Sequence, residues 1–381
     1  MSGTEVRFDL VLLPGDGVGP EVIGAAEVVL GVVQGELRRE GVALGWVRHP
    51  IGGAAIDEAG EPLPPATLAA ALGADAVLLG AVGGPRWDSL APATRPEAGL
   101  LALRRALEVY ANLRPARFLP GLQDRSPLRS ASIGGLDLLL VRELTSGVYY
   151  GQPRLREGEG PLRRAVDTMA YAEGEIRRVA HVAFRAARVR RRRVTSVDKR
   201  NVLETSRLWR EVVDEVAAEY PEVELRHQLV DSMAMLLVQT PGAFDVVLAE
   251  NMFGDILSDE LGGIVGSLGV LPSASVGDGG RGLYEPVHGS APDIAGQGRA
   301  NPLGAILSLA LLFEHSLALP WIARAIEQAV RATLELGLRT PDVATGRPGE
   351  RTVGTREMAE EVGRLLGQEL LSRRSLQEAY F

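Results

Sequence analysis

The stretch NMFGDILSDELGG sets Asp255 and Asp259 four residues apart. On a helix that spacing stacks two carboxylates on one face, about 5–6 Å apart between β-carbons. Like charges so placed repel, and a cation between them relieves the repulsion. A hard divalent ion such as Mg²⁺ or Mn²⁺ takes oxygen ligands and keeps positions for water or substrate oxygens. The same pair also suits a solvated acidic helix start, where the macrodipole favours carboxylates. Spacing alone does not choose between the two. Asp231, in LVDSMAM, stands between a strand-like run and a methionine-bearing helix, a place that equally suits an N-cap.

Three arginines stand beside apolar segments. Arg104 lies in the helix-like part of RPEAGLLALRRALEVYANLRP, Arg114 follows it, and Arg142 ends the apolar run LDLLLVR. A guanidinium binds a carboxylate in bidentate fashion, so the set suits a dicarboxylate substrate. Any one of them alone reads as a surface ion pair, as Arg105 does, turned by about 100° from Arg104. Of the 41 Lys and Arg residues, only Lys199 is a lysine. Arginine stays protonated in proteins, whereas a lysine can release and take a proton when its surroundings lower its pKa. That marks Lys199 for proton transfer, with chance as the competing reading. Tyr149 would act as a general acid if a neighbouring cation lowered its pKa; an exposed tyrosine is the plainer reading.

These side chains need a frame. Strand-like runs (VRFDLVLL, VALGWVRH, ADAVLLGAV, LDLLLVREL) alternate with helical spacing at 20–33, 65–73, 98–110 and 176–187, which is α/β patterning. Residues 145–165 are polar and turn-rich and suit a projecting arm. Gly- and Pro-rich loops are expected over 262–302, and amphipathic helices over 303–336 and 355–370. Composition fits a soluble globular protein, with 46% hydrophobic and 24% charged residues. The absence of cysteine excludes disulfides and thiolate chemistry. A net charge of -8 argues against general nucleic-acid binding. The run RVRRRRV (188–194) is read as cations complementing a helix C-terminus, since no interleaved aromatics support base stacking. No apolar run reaches about 18 residues and the N-terminus does not read as a signal peptide, so no membrane role and a cytoplasmic location are expected.

Together these segments resemble the isocitrate/isopropylmalate dehydrogenases, a family of decarboxylating β-hydroxyacid dehydrogenases. The matching motifs are LPGDGVGPEV, RPEAGLLALRRALEVYANLRP, VRELTSGVYYG, TSVDKRNVLETS, LVDSMAM, NMFGDILSDELGG and GLYEPVHGSAPDIAGQGRANP, in family order over about residues 10–310. Ser146 and Ser232 stand where many relatives carry glycine and alanine. The resemblance implies a two-lobed α/β fold with a large mixed sheet flanked by helices, distinct from a Rossmann fold. It implies a cofactor-binding lobe of 1–108 and 266–381, an inserted substrate and dimerisation lobe of 109–265, and a homodimer with shared active sites. Arg104, Arg114 and Arg142 would hold the malate carboxylates and hydroxyl. Asp255 and Asp259, with Asp231 of a second copy, would hold Mg²⁺ or Mn²⁺. Lys199, also of the second copy, would be the base for the substrate hydroxyl, Tyr149 the acid for the enol, and Asn201 would help place the nicotinamide and substrate.

On the helix through Arg104, the residues Glu97, Leu100 and Leu101 share its side. Two leucines there give an apolar wall, as isopropylmalate enzymes have, and Val202 of a second copy would complete it. The implied reaction is NAD-dependent oxidative decarboxylation of 3-isopropylmalate to 2-oxoisocaproate, in leucine biosynthesis. Alternatives are a homoisocitrate, isocitrate or tartrate/malate enzyme, or a non-catalytic regulatory relative. The adenosine would meet His288, Gly289, Ser290, Ala291 and Asn301. Asp293, accepting from the ribose 2′-OH, would favour NAD over NADP. The early glycine turn LPGDGVGP lacks the third glycine of G-x-G-x-x-G, since Pro20 stands there, so it is read not as a Rossmann cradle but as a tight strand-to-helix turn at the mouth of the cleft, where its backbone could touch NAD.

Overall fold

The structure is a computed structural model that describes residues 6–380. The chain divides into two compact units: Met1–Val109 with Leu119–Arg125 and Gly266–Phe381, and Tyr110–Phe118 with Ser126–Val265. Residues 119–125 thus pack with the first unit, although they lie inside the expected insertion.

In the first unit the strands run in the order Val42–Arg48, Val6–Gly15, Ala76–Ala81, Gly282–Pro286, Pro272–Val276. Neighbours are parallel except the final pair, which is antiparallel. Ala76–Ala81 is buried at every residue, as a parallel strand covered on both faces must be. The last two strands fall where loops were expected. Each has only five residues, and Pro272, Gly282 and Pro286 at their ends gave them the look of turns. The helix Leu303–His315 was expected to be amphipathic, yet Leu303 to Phe313 are all buried. It packs against the sheet and against the helices Gly19–Arg39 and Pro320–Glu335, so over Leu303–Phe313 no face meets water, and only Glu314 and His315 at its end are exposed.

The turn LPGDGVGP holds this unit's layers together. Gly15 and Gly17 have positive φ, 68° and 58°. A β-carbon at Gly17 would lie 1.9 Å from the Ser290 carbonyl oxygen, and one at Gly15 would lie 1.9 Å from that of Ala81. Asp16 between them is buried. Its Oδ2 accepts from the backbone N–H of Gly53 (2.8 Å) and Gly83 (2.7 Å), and its Oδ1 from that of Ala54 (2.7 Å). Burial pushes the Asp16 pKa up, against the pull of these N–H donors. The turn therefore carries its own anion where a Rossmann turn would cradle a pyrophosphate.

In the second unit the order is Ala111–Arg117, Asp137–Glu143, Val246–Ala249, Arg193–Asp198, Glu224–Leu229, antiparallel at the first pair and parallel thereafter. The helix expected over 98–110 ends at Ala106, and 111–117 is a strand despite Pro115, the residue that speaks against one in the sequence. Residues 145–165 include the strand Leu155–Glu157, which pairs with Arg164–Val166. Two helices begin at once where parallel strands end: Val230–Gln239 after Leu229, and Asn251–Val265 after Glu250. The register sets Arg142 beside Ala249, and Ala249 beside Val197, so the carboxyl ends of these strands share one edge. Edges of this kind are where α/β sheets place their chemistry.

The basic run turns inward beyond the helix end at Arg188. Arg190 donates to the buried Asp245 (2.9 Å) and to Asp137 (2.9 Å), and the Arg191 N–H donates to Asp245 (2.9 Å). Among the described residues no helix is long and apolar enough to cross a membrane. Substituting Gly17→Ala should lower stability by at least ~2 kcal/mol, from left-handed strain plus the clash with Ser290. A thermal unfolding midpoint equal to that of the parent would refute this view of the turn.

Candidate active site

Asp255 is the meeting point of the second unit. It accepts from Arg142 Nη1, which is buried with its side chain 2% exposed, and from the Tyr149 hydroxyl (2.5 Å). Arg114 Nη2 stands 3.5 Å from the same carboxylate, and Arg114 Nη1 stands 3.9 Å from Asp259. Sequence spacing placed Asp255 and Asp259 on one helix face, and the strands Ala111–Arg117 and Asp137–Glu143 bring both arginines to that face. Arg114 also donates to Asn112 (2.6 Å) and to Ser258 Oγ, while Ser258 donates to the Asp255 carbonyl (2.7 Å). Burial lifts the Asp259 pKa, with Arg114 opposing.

Tyr149 departs from expectation. A cation was to lower its pKa, and Arg142 does lie 5.3 Å from the ring centre. Burial and the negative charge of Asp255 outweigh it, and the phenol is pushed up to about 12. It stays protonated at neutral pH, which is the state an acid needs.

Behind this cluster lies a layer that sequence spacing did not reveal. Asn251 Oδ1 accepts from Arg142 Nε (3.0 Å) and Nη2 (2.8 Å), and its Nδ2 donates to the Ser146 carbonyl (3.0 Å). The buried Glu250 accepts from Phe253 N–H (2.7 Å) and from the Tyr171 hydroxyl (2.9 Å). Glu143, also buried, accepts from Thr145 N–H (2.7 Å) and Oγ1 (2.6 Å) and from Ser146 N–H (3.0 Å). Those bonds shape the turn that leads to Tyr149. Sequence-local carboxylates after an apolar strand, as in VRELTS, were the one available signal for Glu143.

Lys199 and Asp231 pair with each other through Nζ and Oδ1. The parallel register of Arg193–Asp198 with Glu224–Leu229 ends at Asp198 opposite Leu229, which delivers both side chains to one edge. The ammonium lowers the Asp231 pKa. Among the described residues, no group of three or more His, Asp or Glu side chains is placed to hold a metal ion. One chain therefore does not bring Asp231 together with Asp255 and Asp259. The oxygen donors present suit a hard divalent cation. Asn201 and Val202 are exposed on the loop after Lys199, Val202 to 64%.

In the first unit, Arg104 is buried and donates from Nη2 to Glu285 Oε1 (2.5 Å). Glu285, in GLYEPVHG, was missed by the sequence reading. Leu100 packs on the core with Leu103 and Leu107, so half its surface belongs to the interior, while Leu101 is half-buried and Glu97 exposed. Arg105 is exposed.

The same unit holds a cavity of about 580 Å³ lined by Val18, Leu268, His288, Gly289, Ala291 and Asn301, among others. His288 Nδ1 bonds the Gly289 carbonyl (2.9 Å), an acceptor only, so Nδ1 carries the proton. Its Nε2 is buried without a hydrogen-bond partner, and burial holds the ring pKa below the usual histidine range. A neutral ring with an open acceptor suits an exocyclic amino group such as that of adenine. Asp342 was missed by the sequence reading; it accepts from Ser267 (2.5 Å), Thr340 (2.6 Å) and Asn301 (3.0 Å), fixing the amide at the cavity wall. Ser290 faces the glycine turn, its carbonyl accepting from Val18 N–H (2.8 Å). Asp293 is exposed, and its carbonyl accepts from Gln297 (2.8 Å).

Glu143 supplies a pH test. Burial pushes its pKa up to about 6 from 4.5. The folded state then binds more protons than the unfolded state between these values, so stability falls as pH rises through that window. Relative to Glu143→Gln, the parent should lose ~2 kcal/mol between pH 4 and pH 7. Parallel unfolding curves for the two proteins across that range would sink the assignment.

The profile described as isocitrate/isopropylmalate dehydrogenase matches residues 9–362. The 3-isopropylmalate dehydrogenase of Hahella chejuensis is 54% identical over 358 residues, covering 94% of this chain and 98% of that one. That of Gloeobacter violaceus is 54% identical, covering 93% and 97%. Among solved structures, isocitrate dehydrogenase from Methylococcus capsulatus is similar with a TM-score of 0.83 at 35% identity, covering 95% of this chain and 100% of that one. A β-decarboxylating dehydrogenase from Thermococcus kodakarensis has a TM-score of 0.74 at 36% identity, covering 97% and 98%. The α/β fold is theirs, and this chain belongs to the isocitrate/isopropylmalate dehydrogenase family.

Proposed function

We propose that the chain oxidatively decarboxylates 3-isopropylmalate to 2-oxoisocaproate, with NAD and Mg²⁺ or Mn²⁺, as a step in leucine biosynthesis. The observation that carries this reading is the convergence of Arg114, Arg142 and Tyr149 on Asp255, in a chain 54% identical to 3-isopropylmalate dehydrogenases over nearly its full length. When bound, NAD accepts a hydride and the divalent cation polarises the hydroxyl and carboxylate oxygens of the substrate.

The chain's own residues do the rest. Arg104, Arg114 and Arg142 bind the malate carboxylates and hydroxyl, with fork geometry set in advance by Glu285, Ser258 and Asn251. Lys199 takes the hydroxyl proton as C2 becomes a carbonyl. Loss of CO₂ leaves an enol, and Tyr149, protonated and half-buried, delivers a proton to its carbon. Asp231, Asp255 and Asp259 are the residues that would hold the cation. Gly289, Ala291 and Asn301 would hold the adenosine beside His288, with Asp293 toward the ribose and Asn201 toward the nicotinamide. Leu100 and Leu101, with Glu97 on the same helix and Val202 of the second copy, would form the apolar selection for the isopropyl group; a third carboxylate there would lie unpaired, which is strongly disfavoured. NADH formation should be metal-dependent and at least ~100-fold faster in kcat/KM with 3-isopropylmalate than with isocitrate. Equal rates would remove the pocket assignment, and no turnover of either substrate would favour a non-catalytic relative.

The working form in this reading is a homodimer, with Lys199 and Asp231 of one copy serving the Asp255 of the other. Two facts support it: one chain does not assemble the three aspartates, and Met235, Val238 and Ile256 are exposed on the helices that carry Asp231 and Asp255. Subunit exchange checks it. Lys199→Met and Asp255→Asn proteins should each be inactive, while their equilibrated mixture should recover about a quarter of parental activity, because hybrid dimers hold one intact site. A mixture that stays inactive after proven exchange would refute shared sites.

A further inference from the structure

Beneath Lys199 lies a buried charge that the reaction itself does not use. Asp198 ends the strand Arg193–Asp198, and its side chain is 0% exposed. Oδ1 accepts from Arg200 N–H (3.0 Å). Oδ2 is buried and has no hydrogen-bond partner among the described residues. It faces Arg210 Nη1 at 3.8 Å and His227 Nδ1 at 4.0 Å. That histidine nitrogen is also buried without a hydrogen-bond partner, while Nε2 bonds Asp214 (2.7 Å). A buried carboxylate held at such distances is a poor source of stability, since an apolar residue of similar shape would cost less. Its placement has a different logic.

Every element that faces Asp198 bears on Lys199. The Arg200 amide it binds belongs to the turn after the lysine. That turn is closed by Val202 N–H and Leu203 N–H donating to the Lys199 carbonyl (2.9 and 3.0 Å). Lys199 N–H donates to Ser206 Oγ (3.0 Å), and the helix Glu204–Ala217 that contains Ser206 also brings Arg210. His227 sits on the strand Glu224–Leu229, whose end leads directly to Asp231, the partner of the Lys199 ammonium. One carboxylate thus touches the lysine's turn, its supporting helix and the strand leading to its partner.

We propose that Asp198, with His227 and Arg210, is a positioning group that sets the Lys199 turn against the Asp231 strand. This rests on the reading of Lys199 as the base. Asp198→Ala removes both functions of the carboxylate, whereas Asp198→Asn keeps an acceptor for the Arg200 amide and removes the charge. His227→Gln removes the imidazole that faces Oδ2 at little change in size and leaves Arg210 in place.

The single lysine permits a direct readout. Labelling with ¹⁵N-lysine gives one backbone amide signal for the whole chain, that of Lys199. In the full-length protein, Asp198→Asn and His227→Gln should each move or broaden that signal. They should lower kcat ~10-fold, leave KM for NAD within about twofold, and Asp198→Ala should do more of the same. A role confined to stability would lower the unfolding midpoint with the Lys199 signal and kcat unchanged, and would overturn the proposal. If Asp198→Ala does not fold, the other two variants decide. If Lys199→Met keeps full activity, the base assignment falls, while an amide signal unmoved in Asp198→Asn and His227→Gln would overturn the positioning role whichever residue is the base.

Discussion

The site of the second unit depends on one electrostatic constraint: the buried guanidinium of Arg142 must be balanced, and Asp255, a third exposed, supplies the opposite charge. Two guanidiniums and a phenol meet that carboxylate, and each comes from a different element. Arg142 is almost wholly buried, so its own charge would be untenable without Asp255 on one side and Asn251 on the other. Burial first, and the charge of Asp255 second, raise the phenol pKa of Tyr149, so the carboxylate that orients an arginine also adds to the upward shift of the phenol. Glu250, Tyr171 and Glu143 are needed because the first layer cannot hold itself. Each fixes a backbone amide or a neighbour of Arg142.

A similar economy operates in the first unit. Asp16 satisfies the backbone amides of Gly53, Ala54 and Gly83 at once, and the glycines around it exist because carbonyls approach where β-carbons would sit. The turn is therefore structural at its centre, and at its edge Val18 meets Ser290 and the cavity. The later loop offers an open acceptor at His288 and an Asn301 fixed by Asp342.

Much of this was legible in the chain. The alternation of elements, the carboxylate pair on one helix face, the three arginines and the solitary lysine all follow from residue type and short spacing. The errors have physical causes. Leu303 to Phe313 looked amphipathic because the sequence does not show that both of its sides are covered. The strands Pro272–Val276 and Gly282–Pro286 looked like loops because their flanks are rich in glycine and proline, and pairing overrode local preference.

By itself the sequence determined which chemical groups were available, the periods that place them on helix or strand, and the family to which the ordered motifs belong. Periodicity acts over a few residues, so it could pair Asp255 with Asp259 but could not pair Asp255 with Arg142 or Tyr149, over a hundred residues away. Tertiary structure decided those partners, and with them the direction of every pKa shift, because burial and neighbouring charge are properties of the folded environment. It also decided that Arg104 meets Glu285 and that Asp198 lies beneath Lys199 facing His227. Neither contact has a local signature: strand register brings His227 towards Asp198, and Arg104 reaches Glu285 from a helix 181 residues earlier in the chain.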